Sequence, residues 1–238
     1  MRTFLHLLLA IGLLVVTQFS SAQAWTPTLA SSNNWDCITL SADGSKLIAI
    51  SSGADWVSTD SGLTWVSNSM PTTGIWLSLA SSADGNKLAV ARGSYLSPIY
   101  TSTDSGASWT SNSIPAFWAS VASSADGEKL IAVSYYTNIL NGAGGAIWTS
   151  TNAGVTWISN NVPNHIYYSA ASSADGATLV VGSASGSLFI STNSGGYWQE
   201  TMLPNTNWLT VASSADGTRL VAAAHNGPII TSTNSGTT

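Results

Sequence analysis

From Trp118 onward the chain alternates short apolar runs with polar punctuation. "WASVASS" (118–124) is followed by "ADGE", "KLIAV" (129–133), a variable stretch, "AIWTST" (146–151), "NAGVT" and "WISNN" (157–161). The runs are rich in Val, Ile, Ser, Thr and aromatics, and Gly, Asp and Asn separate them, which predicts four strands A–D joined by turns. No 3.6-residue apolar period runs through the chain, so a helical solenoid is excluded.

This unit repeats. "SADG" recurs with its aspartates at Asp43, Asp84, Asp126, Asp175 and Asp216, at intervals of 41, 42, 49 and 41 residues. The long interval carries an insertion, "YYTNILNGAGGA", at 135–146. A second motif reads "STDSGLTW", "STDSGASW", "STNAGVTW" and "STNSGGYW", and a fifth copy, "STNSGTT" (232–238), stops one residue short of the tryptophan. Four strands in about 40–45 residues is the unit of a β-propeller blade. The expected fold is therefore all-β: a five-bladed β-propeller of four-stranded antiparallel blades. The tryptophan of each complete second motif precedes the aromatic that opens the next strand A by 11, 9, 10 and 10 residues, and Trp25 precedes Trp35 by 10. Trp25 thus stands in the phase of a residue after Thr238. The expectation is closure of the ring, with the N-terminal segment supplying strand D of the last blade and removing an exposed sheet edge. The alternative is a piece of a larger, six- to eight-bladed ring.

The second motif, Ser-x-Asp-x-Gly-x-x-Trp, resembles the Asp-box or BNR repeat of sialidase-like, sortilin-like and photosystem II assembly factor-like propellers. It is present at Ser58, Asp60, Gly62 and Trp65 and again at Ser102, Asp104, Gly106 and Trp109. Asn152, Asn193 and Asn234 replace the aspartate in the other copies. The resemblance implies the fold and leaves the activity open, because propellers of unrelated function carry the box. Asp or Asn in this turn accepts backbone N–H hydrogen bonds, and Asn keeps that acceptor without the charge. Asp60, Asp104, Asn152, Asn193 and Asn234 are therefore assigned a structural role rather than a catalytic or metal-binding one. The resemblance also places both repeated turns on one face, leaving the D–A and B–C loops on the opposite, upper face.

The first 24 residues change the picture of location. Arg2, the apolar run Leu7–Val16 and Ala22-Gln23-Ala24 have the layout of a secretory signal peptide. Residues 1–24 are assigned to that signal and 25–238 to the propeller, with secretion or a periplasmic or envelope location after cleavage near Ala24. The apolar run is too short to span a bilayer, and no transmembrane span is expected in the mature chain. With one cysteine, Cys37, no internal disulfide can form. Six Lys and Arg against eleven Asp and Glu give a net charge of −5, which disfavours nucleic acid as a partner.

Candidate chemistry is what remains once the repeat is subtracted. Strand A opens with Trp35, Trp76, Trp118, Tyr167 and Trp208, either a ring of aromatics around the channel mouth suited to sugars or apolar ligands, or packing between blades. The insertion contributes Tyr135, Tyr136 and Asn141 as ligand candidates, since long loops in compact domains are often functional. Asp36 and Asp55, both in the first blade, are the weak catalytic candidates, as a carboxylate pair for glycoside hydrolysis; solvated loop acids are the alternative. The resemblance to sialidases does not extend to activity, because Arg92 is the only mature base outside the SADG turns and three arginines are needed to grip the substrate carboxylate. His165 and His225 are too separated for a metal site, Cys37 reads as a small packed residue, and no metal or cofactor is expected. The sequence points to a non-enzymatic module binding a glycan or an extracellular or envelope protein through its upper loops, with a glycosidase or a scaffold as alternatives.

Overall fold

The computed structural model describes residues 26–237 apart from 31, 72, 139–142, 185 and 203–205. Within these, the chain forms five antiparallel sheets in sequence order. The first consists of β1 (Trp35–Leu40), β2 (Leu47–Ser51), β3 (Ala54–Ser58) and β4 (Val66–Ser69). The second runs β5 (Trp76–Ser81), β6 (Leu88–Arg92), β7 (Ile99–Ser102) and β8 (Thr110–Ser111). In the third, β9 (Phe117–Ser123) and β10 (Leu130–Asn138) precede the short β11 (Ala143–Gly144), which pairs with the far end of β10; β12 (Ile147–Ser150) and β13 (Ile158–Ser159) complete it. The fourth sheet holds β14 (Tyr167–Ser172), β15 (Leu179–Ser183), β16 (Ser187–Ser191) and β17 (Gln199–Met202). The fifth has three strands: β18 (Trp208–Ser213), β19 (Leu220–Ala224) and β20 (Ile229–Ser232).

Period-2 alternation gives each sheet two apolar faces, and four cores lie between successive sheets. Ile48, Ile50 and Val57 of the first sheet meet Trp76, Leu88 and Val90 of the second. Ala89 and Ala91 then meet Trp118 and Leu130, Ile131 and Val133 meet Tyr167 and Leu179, and Val180 and Leu188 meet Trp208 and Leu220. The innermost strands β1, β5, β9, β14 and β18 pack each against the next, with no comparable packing between β18 and β1. The sheets succeed one another as propeller blades, and among the described residues closure of the fifth sheet on the first is not seen.

The repeated turns are the joints of this series. In the box, Ser58 Oγ donates to Asp60 Oδ1 at 2.8 Å and accepts from Gly62 N at 2.8 Å, while Asp60 Oδ1 accepts from Thr64 N at 2.8 Å. Asn152 keeps the same geometry, accepting from Thr156 N at 2.9 Å. The two residues at the turn's tip, such as Ser61 (φ 58°) and Gly62 (φ 90°), are both left-handed, which explains a glycine at the second. The SADG turns join neighbouring sheets through a ladder: Ala42 N donates to Ala83 O, Ala83 N to Ala125 O, Ala125 N to Ala174 O and Ala174 N to Ala215 O, at 2.7–2.8 Å. Each box also donates to the SADG turn of its own sheet, as Ser61 N does to Ser45 O at 2.9 Å. Both motifs therefore share one face, as expected.

Candidate functional site

Innermost strands set the opposite, upper face. Each is irregular at the same place: Trp35 pairs with Ser51 and Cys37 with Ile50, leaving Asp36 as an extra residue. The same shift falls between Trp76 and Ser78, Tyr167 and Ser169, and Trp208 and Thr210. A bulge puts two residues opposite one and re-aims the extra side chain. The strand A aromatics accordingly turn away from solvent: Trp76 is 1% exposed and Trp118, Tyr167 and Trp208 0%, each packed between two sheets. Buried there, these four are held by interblade packing and are not presented to a ligand. Trp35, with no preceding sheet against it, is 41% exposed.

The extra residues take the position the aromatics were expected to hold. Asp36, Leu77 and Leu209 are exposed and Tyr168 is half-buried, while Ala119 is buried. Tyr168 joins a cluster built from neighbouring sheets. Its ring lies edge-on to Tyr135 at 5.6 Å, and Tyr135 lies edge-on to Phe117 at 5.5 Å. All three are half-buried, so each ring keeps an accessible part. β10 overruns its neighbours and bulges around Tyr135, between Ser134 and Tyr136, so the insertion delivers that side chain to the cluster. Burial, then the Tyr168 phenol, raises the Tyr135 phenol above its usual range, keeping it a neutral hydrogen-bond donor. Tyr136 pairs across to Phe117 and Gly144 and is half-buried; Asn141 lies outside the described residues. Sequence reasoning named Tyr135 but passed over Phe117 and Tyr168. Their signal was the doubled aromatics "FW" and "YY", in which only one residue can fill the interblade slot.

The carboxylate pair fares differently. Asp36 is exposed, and its Oδ2 accepts from Trp76 N at 3.3 Å. Asp55 is 0% exposed and sits between the first and second sheets, against Gly106 and near Asn68 and the Trp109 indole. In the same register the later sheets have Ile99, Ile147, Leu188 and Ile229. Strand alternation turns Asp55 into the core, so it does not present its carboxyl to a glycosidic oxygen. Burial raises its pKa to about 6; Asn68 and Trp109 offset this in part, yet neither carboxylate oxygen makes a hydrogen bond of ordinary geometry. Cys37 is half-buried, with its thiol pushed up to about 12 by burial and then by Asp36, so it is no nucleophile at neutral pH. His165 packs against Tyr167 and Phe189, while His225 is exposed. Among the described residues no three His, Cys, Asp or Glu side chains gather as a metal site would require.

Successive antiparallel sheets whose inner strands pack each against the next define the β-propeller class. Solved structures agree. The chain is similar to a GH74 enzyme of Niastella koreensis at 18% identity and TM-score 0.61, covering 81% of this chain and 35% of that one. It is similar to a GH74 xyloglucanase from Xanthomonas campestris at 16% identity and TM-score 0.64, covering 85% and 37%. It is also similar to YCF48 solved with a D1 peptide, at 15% identity and TM-score 0.60, covering 86% and 67%. The chain thus spans little more than a third of the two GH74 chains. No protein-family model and no curated protein matches the sequence.

Proposed function

We propose that this protein is an exported propeller that binds a glycan at its upper mouth without hydrolysing it. The observation that carries this reading is the half-buried trio Phe117, Tyr135 and Tyr168, three rings supplied by two adjacent sheets and brought together by two bulges. Ring faces of this kind stack on the apolar faces of sugars, and phenol hydroxyls bond their edges. Leu77 and Leu209 extend the apolar rim, and Asp36 adds one acceptor. Two of the similar structures are GH74 enzymes, one of them a xyloglucanase, which favours a polysaccharide over other ligands. The buried Asp55 disfavours turnover. Within this reading the N-terminal segment closes the ring against the fifth sheet.

The test is a glycan array followed by calorimetry on the hits, using wild type, Tyr135→Ala and Tyr168→Ala. Each loss is expected to weaken binding about tenfold, the equivalent of about 1.4 kcal/mol. Unchanged affinity in both variants defeats the proposed site. An array without signal, together with capture of a peptide ligand such as the one in the YCF48 structure, defeats the glycan reading.

A further inference from the structure

Residues 93–98, which join β6 to β7, flank the aromatic trio. The equivalent connection is residues 52–53 in the first sheet and 225–228 in the fifth, while the insertion lengthens it in the third. The second and third sheets are neighbours, and the long connections of both reach Phe117. From the third, Tyr135 lies edge-on to its ring at 5.5 Å. From the second, Ser97 and Ala116 each donate an N–H to the other's carbonyl at 3.2 Å, and Trp118 Nε1 donates to Ser97 O at 2.7 Å. The next pair outward from this antiparallel bridge is Leu96 and Phe117.

The loop is held firmly yet shows its apolar side chains to solvent. Gly93 N donates to Ile75 O at 3.0 Å, the Leu77 side chain lies against Gly93, and the hydroxyls of Ser94 and Ser97 are 3.0 Å apart. Ser97 is buried, whereas Tyr95 is 38% and Leu96 50% exposed. Leu96 has a φ of 53°; the other described non-glycine residues in this region are Asn226 and the small Ser or Ala at the box tips. A bulky side chain there is strained, and its exposure shows that core packing does not compensate. Strain of this kind persists where the conformation serves a site.

We propose that Tyr95 and Leu96 belong to the ligand site and extend the trio onto the second sheet, so that the mouth takes an extended, uncharged polysaccharide chain rather than a single terminal sugar. This rests on the glycan reading above and names the ligand class of that site. Two features select this occupant. Leu77, Tyr95, Leu96, Phe117, Tyr135 and Tyr168 run from the second sheet to the fourth, and sheets stack about 10 Å apart, so the line is on the order of 20 Å long. A single ring covers a fraction of that length, whereas successive units of a chain each meet an apolar side chain. None of the six side chains carries a charge, and the Tyr135 phenol is held neutral by burial, so nothing along the line pairs with a uronic acid. The pinned backbone presents these groups without ordering them on binding, which saves affinity otherwise lost to entropy.

The experiment uses calorimetry with disaccharides and hexasaccharides of β-glucan, xylan and mannan, and with oligogalacturonides as charged counterparts. It compares wild type, Tyr95→Ala and Leu96→Gly, with thermal unfolding recorded in the absence of sugar. Wild type is expected to bind a neutral hexasaccharide at least about tenfold more tightly than the matching disaccharide, and both variants to lose most of that advantage. Leu96→Gly is also expected to raise the thermal midpoint by about 2 °C, because glycine adopts the left-handed turn without strain. That pairing of higher stability with weaker binding is not what a merely structural residue gives. Full hexasaccharide affinity in both variants overturns the loop as a contact, while loss in Tyr135→Ala leaves the trio standing. A lowered midpoint in Leu96→Gly overturns the strain assignment, whatever the sugar results. Preference for oligogalacturonides overturns the uncharged class, and no binding of any sugar by wild type defeats the glycan reading itself.

Discussion

Asp55 offers the sharpest test of the packing described above, because one carboxyl stands where four sibling positions are Ile or Leu. Its pKa is raised from 3.8 to about 6, chiefly by burial. A carboxyl that holds its proton more tightly when folded destabilises the native state once ionised. The cost is absent below the unfolded value, grows as pH rises through the folded one, and is then constant. At about 1.36 kcal/mol per unit, the full cost is about 3 kcal/mol, of which about 2 kcal/mol develops between about pH 4.5 and pH 7.5. The exposed turn aspartates act in the opposite sense. Asp60 is lowered to about 2 by Thr64 and Ser58, and Asp43 to about 2 by Ser41 and Ser45, so their contribution is present above about pH 4 and lost only as pH falls towards 2.

Urea denaturation of wild type and Asp55→Asn at about pH 4.5 and 7.5 separates these effects. Wild type should gain about 2 kcal/mol on acidification and Asp55→Asn almost none, because the amide keeps the shape and loses the titration. Asp55→Leu should be more stable than wild type at neutral pH, since it restores the residue type used by the later sheets. Equal pH slopes in wild type and Asp55→Asn would refute the assignment of Asp55 to a dry interblade core. The carboxyl would then have to be solvated, and the glycosidase pairing with Asp36 would return.

Trp118→Ala removes a fully buried indole and its hydrogen bond to Ser97 O, so a loss of about 3–5 kcal/mol in chemical denaturation is expected. Asn152→Asp should stay within about 0.5 kcal/mol of wild type, whereas Asn152→Ala, which strands the Thr156 N–H, should cost about 1 kcal/mol in the same assay. Cys37 should react with a thiol reagent at neutral pH far more slowly in the native protein than in urea, because burial holds it as the thiol. Equal rates would place Cys37 in solvent.

Strand order and turn chemistry were legible because they are written five times. A motif such as Ser58–Trp65 fixes its hairpin through bonds within eight residues, and repetition averages away local exceptions. The upper mouth was not legible in the same way. Which of two adjacent aromatics faces the core depends on a single bulge, and a one-residue shift exchanges the faces of a strand. Trp118 and Tyr167 therefore entered the core while Phe117 and Tyr168 stayed half-buried against Tyr135. Asp55 was misread for a related reason: the register that turns it towards the second sheet is a property of pairing with Ile50 and Asn68. The same reasoning bears on evolution of the site. Interblade positions are constrained by two sheets each, whereas the bulge positions hold residues as different as Asp36, Leu77, Ala119 and Tyr168. A bulge adds one residue to a strand without changing the register of the pairs on either side, so the repeated cores tolerate different residues there.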